Sequence, residues 1–411
     1  MGQPERALLE ALFRAGVAAA SGRAAVRRAL GRRPPPPGMP LYLAAVGKAA
    51  AAMAQGALDV LQAPPRAGLV IVPHGDPSLR DGDLPWSILS AGHPMPDEAS
   101  LGAGRALADF VAAVPPDGLL LLLVSGGASA LVEVLPTGVV LDRLRELNAW
   151  LLASGHPIGT INRIRQRCSM IKGGRLAGKL RGQARVLLMS DVSGDDPAVI
   201  GSGLMAPAGE APLNGVEVPA FVEGWMKQVP PAPAPGDVVF TRIEHEVVAS
   251  LRDALQGVED AARRDGLAVH RYAERLAGDA AATGTALARL LLVGEPGVHL
   301  WGGETTVRLP ESPGEGGRCQ QLALAAALAL AGVPGVALLA AGTDGRDGPG
   351  EAAGAVVDGT TVARARSAGC APEIALARAD AATCLGHADA RLVTGPTGTN
   401  VNDLVIGLKM P

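Results

Sequence analysis

Aromatic residues are nearly missing from this chain. Four Phe, four Trp and two Tyr account for 2% of its 411 residues, although 48% are hydrophobic. Its cores must therefore be built from Ala, Val, Leu and Ile. Lysine is scarce too: of 37 basic residues only Lys48, Lys172, Lys179, Lys227 and Lys409 are Lys. Arg is the default surface cation, so a Lys set among glycines draws notice. The four cysteines, Cys168, Cys319, Cys370 and Cys384, show no CxxC or CxxH spacing. That excludes a zinc ribbon and fits reduced thiols in a cytoplasmic protein. A net charge of −3 argues against nucleic acid as the main partner. Residues 322–341, twenty residues without a charge, are broken by Gly332-Val333-Pro334-Gly335 into a helix and a short strand, so no membrane span is expected. The N-terminal segment carries Glu5 and Glu10 among apolar residues and reads as an amphipathic helix instead of a signal peptide.

What the chain has is a repeated arrangement, an apolar run of strand length followed by small and polar residues. Leu119–Val124 is the clearest. Six apolar residues suit a strand buried on both faces, and they run into Ser125-Gly126-Gly127-Ala128-Ser129-Ala130. Small residues there let backbone N–H groups approach a phosphate or carboxylate ahead of a helix. A tight strand–helix turn that merely needs glycine would read the same.

Length allows two or three domains. Residues 5–30 read as one or two helices, and 34–37 as a stiff proline spacer into strand 41–46. Gly47-Lys48-Ala49-Ala50 then opens an Ala-rich helix to residue 61. A lysine in a helix's first turn opposes the macrodipole; it would contact an anion held there, or else it is a solvated loop residue. Strand 68–72 leads to His74, and Ala91-Gly92-His93-Pro94-Met95-Pro96-Asp97-Glu98 leads to a helix start. Neither His74 nor His93 has a second ligand at helical spacing, so both read as hydrogen-bonding loop residues. Helix 141–153 precedes the basic segment 161–177. Overlapping its end, 173–180 nearly fits the phosphate-loop pattern, but Leu180 offers no hydroxyl to Mg²⁺ and a basic helix, not a strand, precedes it. Strand 185–189 ends in Ser190-Asp191-Val192-Ser193-Gly194-Asp195-Asp196-Pro197. Asp191 lies where open α/β sheets place ligands and reads as a base or Mg²⁺ ligand; Asp195 and Asp196 are equally explained as turn and cap residues.

Residues 206–236, rich in Pro, Ala and Gly, mark a junction, which places the domains at 1–235 and 236–411. A second α/β set follows: helix 247–265, strand 268–273, helix 279–293, and strand 305–309 preceded by Trp301-Gly302-Gly303-Glu304. Gly316-Gly317-Arg318 opens a long Ala/Leu helix, and an Arg framed by glycines suits bidentate anion binding. Strand 336–340 leads to Gly342-Thr343-Asp344-Gly345-Arg346-Asp347, and strand 392–393 to a segment ending Asn400-Val401-Asn402-Asp403. Strand ends so equipped fit phosphoryl transfer, where positioning and charge neutralisation do most of the chemistry. A nicotinamide enzyme fits less well, because no GxGxxG follows a strand.

In chain order, the motifs GKA, AGHPMPDEAS, VSGGASAL, IKGGRLA, SDVSGDDP, GGETTV, GGRCQQLAL, GTDGRDGP and TGPTGTNVNDL resemble the type II glycerate kinases, the MOFRL family. The resemblance spans nearly the whole chain. It implies an α/β fold with an N-terminal Rossmann-like doubly wound domain, a smaller C-terminal α/β (MOFRL) domain and an active site in the cleft between them. It implies ATP- and Mg²⁺-dependent phosphorylation of D-glycerate to 2-phosphoglycerate. Lys48 and Arg318 take the places of the family's functionally important cations, with Asp191 as base or metal ligand. Substrate and nucleotide contacts fall on Ser125, Gly126, Gly127, Ala128, Ser129, Lys172, Gly303 and Glu304, and on Asp344, Asp347, Asn400, Asn402 and Asp403. Two departures stand out: Cys319 and Gln321 where the family has Asn and Glu, and Leu204-Met205 where it has Pro-Thr. Hydroxypyruvate reductase is the alternative activity and a non-catalytic nucleotide-binding regulator a further one. No membrane or nucleic-acid partner is expected, and a homodimer is left open.

Overall fold

The computed structural model describes residues 3–76, 84–154, 156, 158–208, 213 and 216–411. It divides into two compact units. One is Gly22–Ala249; the other is Ser250–Pro411, joined by the N-terminal helix Gln3–Ala19.

In the first unit the apolar runs are strands: β1 (Leu41–Val46), β2 (Ala67–Pro73), β3 (Ser87–Ala91), β4 (Leu119–Val124), β5 (Gln183–Met189) and β6 (Ile243–Ala249). All pair in parallel, in the order β3-β2-β1-β4-β5-β6. Every residue of β4 is buried, as a central strand covered by crossover helices must be. Strand order reverses between β1 and β4, so the loops leaving their C-terminal ends flank a topological switch point. The helix Glu98–Ala113 starts in a capping box, Asp97 accepting the Ser100 N–H and the Ser100 hydroxyl accepting the Asp97 N–H.

The second unit is a mixed sheet: β7 (Val269–Arg271), β8 (Gly297–Gly303), β9 (Val336–Gly342), β10 (Gly354–Asp358), β11 (Arg391–Leu392) and β12 (Asp403–Lys409), in the order β11-β10-β9-β12-β8-β7. β12 runs antiparallel to both neighbours, and its first residue, Asp403, lies opposite Gly303 on one side and Gly342 on the other. This register brings the loops after β8 and β9 and the loop before β12 to one edge.

Some expectations are corrected. The unit boundary lies at 249/250, not 235/236, because β6 adds to the first sheet. Residues 247–249, expected to begin a helix, end that strand instead, and the helix is Leu251–Arg264. In β6, Glu244 and Glu246 alternate with Ile243, His245 and Val247, the pattern of a half-buried edge strand. Glu246 receives Arg32 and Arg185 at 2.8 and 2.7 Å. The N-terminal helix belongs with the second unit because small residues interlock: Gly16 lies against Ala254 and Val258, and Gly257 against Ala15 and Ala19. The strand expected at 305–309 is displaced to Gly297–Gly303, and beyond it Thr306 makes only a single bridge to Asp279. The charge-free stretch 322–341 does split, into the helix Arg318–Leu330 and β9. Among the described residues no helix is long and apolar enough to cross a membrane.

Candidate active site

In the first unit the site is made largely of backbone. Gly47 follows β1 with φ +127°, and a Cβ there would fall 2.2 Å from Ser125 Oγ; only glycine lets the two loops touch. The loops are then stitched together. Lys48 N–H donates to Gly126 O at 2.9 Å, Ala49 N–H to Ser125 Oγ at 3.0 Å, and Ser125 N–H to Val46 O at 3.0 Å. Lys48 precedes the helix Ala50–Leu58, whose N-terminus has no side-chain cap, so the N–H groups of its first turn remain suited to an anion. Gly127, at φ +85°, starts the short helix Ala128–Leu131. A Cβ on Gly127 would meet His93 at 3.0 Å and the Lys48 Cγ at 3.3 Å. Ser129 Oγ lies 2.8 Å from Ser202 Oγ. Asp191 is half-buried just past β5, next in the sheet to β4. Asp196 caps its own turn, accepting the Ala198 N–H.

Lys172 sits elsewhere in the electrostatics. Its ammonium is buried against Glu133 at 2.6 Å and donates to Ser129 O at 2.8 Å. Glu133 in turn accepts Ser169 Oγ. Lys172, expected to contact ligand, holds the Ser129 loop and also lines the cavity beside it. Beside it opens a cavity of about 430 Å³ lined by His93, Met95, Gly127, Asn148, Arg165 and Cys168 among others. Burial pushes the Cys168 thiol up to about 12, so it is not a nucleophile.

In the second unit the site is a network of side chains. Arg318 Nε and Nη2 grip Asp403 at 2.6 and 2.9 Å, while Nη1 reaches Glu304 at 3.0 Å. Glu304 also accepts Asn402 Nδ2 at 2.8 Å, and Arg275 donates to Asn402 Oδ1. Burial works against the Arg318 charge, but the Asp403 bond and the nearby carboxylates outweigh it and raise its pKa. The expected anion clamp is thus already closed on carboxylates, and Arg318 ties three loops together. Asp347 is a helix cap: it accepts the Cys319 N–H at 2.9 Å and the Gln320 N–H at 2.7 Å. Thr343 joins the two remaining loops, its N–H and hydroxyl both donating to Asn402 O. Asp344 accepts the Arg346 N–H, and Asn400 is buried beside Val401.

The structure therefore gathers Lys48, Ser125, Gly126, Gly127, Ala128 and Ser129 at the switch point, with Asp191 one strand further along the same edge. It gathers Gly303, Glu304, Arg318, Asp344, Asp347, Asn400, Asn402 and Asp403 at one edge of the second sheet. Glu133, Asn148 and Ser202 were missed, since isolated polar residues carry no sequence signal; Arg165 belongs to the basic segment 161–177, whose cations are read either as a solvated face or as bordering an anionic substrate. Both departures point inward. Gln321 Nε2 donates to Leu376 O at 2.7 Å, Cys319 is buried, and Leu204 and Met205 join the core. Among the described residues no group of three or more His, Cys, Asp or Glu could hold a metal ion.

A parallel 3-2-1-4-5-6 sheet with amide-rich loops and a lysine at its switch point defines a Rossmann-like α/β enzyme that handles an anionic ligand. Residues 8–228 match the family described as domain of unknown function DUF4147, and residues 297–403 the MOFRL family. The D-glycerate 2-kinase of Thermotoga maritima is 36% identical over 90% of this chain and 90% of its own length. An Agrobacterium vitis relative, 36% identical over 97% of this chain and 93% of its own, is named provisionally as a hydroxypyruvate reductase. The crystal structure of glycerate kinase from Thermotoga maritima superposes with a TM-score of 0.85 at 33% identity, covering 99% of this chain and all of that one. The chain belongs to the glycerate 2-kinase family that joins a DUF4147 domain to a MOFRL domain.

Proposed function

We propose that this chain transfers the γ-phosphoryl group of ATP to the 2-hydroxyl of D-glycerate. One observation carries the reading: at the switch point Lys48 stands between an uncapped helix N-terminus and the Ser125-Gly126-Gly127 turn. Amides fix the anion, and the Lys48 ammonium neutralises charge that grows on the transferred group. Asp191 is a single half-buried carboxylate. That fits Mg²⁺ carried in by nucleotide phosphates, since Mg²⁺ keeps most of its waters and takes one or two protein carboxylates. The ion would supply charge neutralisation at the phosphates. Arg318 acts as a positioning residue for the loops of Glu304 and Asn402. A reducing, cytoplasmic setting fits four free cysteines.

The test supplies purified protein with D-glycerate, MgATP and enolase, without phosphoglycerate mutase. Phosphoenolpyruvate should form directly, and Asp191→Asn should abolish it while leaving the melting temperature nearly unchanged. A strict need for the mutase would mean 3-phosphorylation. Oxidation of NADH with hydroxypyruvate, without ATP consumption, would move the reductase to first place.

A further inference from the structure

The cavity of about 430 Å³ in the first unit is lined by two polar side chains without a protein partner among the described residues. Asn148, on the helix Leu141–Ala153, is 6% exposed. Arg165, on the helix Ile158–Arg167, is largely desolvated, and burial lowers its pKa against the pull of Glu133. Among the described residues neither side chain has a hydrogen-bond or ion-pair partner, although both line the cavity. A half-buried cation and a buried amide that face one cavity without a protein partner are groups a polar ligand there would satisfy.

Charge on the walls narrows the occupant. Lys172 and Glu133 neutralise each other at 2.6 Å, which leaves Arg165 as the uncompensated cation. Met95, Leu144 and Leu147 make the rest of the wall apolar. One cation suits one negative charge and not a triphosphate. A guanidinium matches a carboxylate bidentately, and an amide beside it can both donate to a carboxylate and accept from a hydroxyl. His93 and Gly127 line the same cavity, and a Cβ on Gly127 would meet both the His93 ring and the Lys48 Cγ. A small acid anchored by Arg165 would therefore offer its hydroxyl toward the Lys48 loop.

We propose that Arg165 and Asn148 bind the carboxylate of a small hydroxy acid, making this cavity the acceptor subsite and Arg165 its specificity-determining residue. This rests on the kinase reading above and adds the residues that recognise the acceptor. In Arg165→Gln, KM for D-glycerate should rise by about 10–100-fold, the scale for losing a charge-assisted hydrogen bond, while KM for ATP changes less than twofold. The wild-type preference for D-glycerate over its uncharged amide should collapse in the same variant. Arg165→Lys should recover part of it. Thermal unfolding should be unchanged or shifted upward, since the substitution removes a desolvated charge without a partner; a purely structural arginine would lower it.

An unchanged KM for D-glycerate in an active Arg165→Gln enzyme would overturn the proposal. So would a rise confined to KM for ATP, which would make the cavity a nucleotide subsite. If the wild type phosphorylates no D-glycerate at all, the kinase reading fails separately. Calorimetric titration with D-glycerate and with hydroxypyruvate then decides: binding of either that Arg165→Gln abolishes sustains the carboxylate subsite, and no binding, or binding that survives, overturns it.

Discussion

At the switch point of the first unit, the groups at the sheet edge come from residues adjacent in sequence to β1 and β4, and most are backbone amides. At the edge of the second sheet, Glu304, Arg318 and Asp403 come from three distant segments and meet as charged side chains. The two designs differ in what they demand. Parallel strands leave at one edge by topology, so small residues after each suffice. The second sheet must hold β12 in register against both β8 and β9 before its charges can meet. A backbone cradle needs glycine where its loops touch but depends little on its other side chains, whereas an ion network fails when one member goes.

The comparison is sharpened first at Lys48, the one charged side chain of the cradle. Lys48→Ala should reduce kcat/KM by ~10²–10⁴, the scale for an electrostatic stabiliser, with the melting temperature almost unmoved. Steady-state kinetics beside a thermal melt check both halves; a loss below about threefold would return Lys48 to a solvated loop residue.

In the second unit the same kind of change should strike stability. Asp403→Asn leaves the Arg318 guanidinium without its bidentate partner and should cost roughly 3 kcal/mol, the low end for breaking a buried pair, because Arg318 is one-third exposed. Denaturant titration reads this directly. Arg318→Lys keeps the charge but not the fork, so it should fall between wild type and Asp403→Asn.

The smallest contrast is in pH. Burial pushes Asp347 up to about 6, although the Cys319 and Gln320 N–H groups oppose it. The native state then binds more protons than the unfolded chain between about pH 4 and 6. Stability should fall by roughly 1–3 kcal/mol as pH rises through that window and level off above it. In the first unit Asp97 behaves oppositely. Burial would raise it, but the His74, Ser100 and Gly92 bonds hold it at about 2, so its contribution is present above about pH 4 and is lost as pH falls through 2. Thermal melts of Asp347→Asn should lose the pH 4–6 slope and keep the acid limb.

Periodicity and glycine placement were enough to locate β1, β4 and the loops Gly47-Lys48 and Ser125–Ser129, because a doubly buried strand and a close backbone approach each leave a local mark. The helix Leu141–Ala153 was legible for the same reason. Asp403 was visible only as the end of a polar segment; that it begins a central strand, DLVIGLK, depends on two partner strands lying more than 60 residues away. The end of β6, residues 247–249, read as the start of a helix because it runs into Leu251–Arg264 with no Gly or Pro between them.

What the sequence alone determined is the place of several strands, β1, β2, β4, β5 and β9 among them, the small-residue turns after β1 and β4, and the family to which the chain belongs, since these reside in short runs of neighbouring residues. Tertiary structure decided which charges are neutralised. Lys172 is turned inward by Glu133 and Arg318 is gripped by Asp403, while Arg165 is left without a partner among the described residues. Charge pairing depends on distances of a few ångströms between segments far apart in the chain, and no local pattern encodes them.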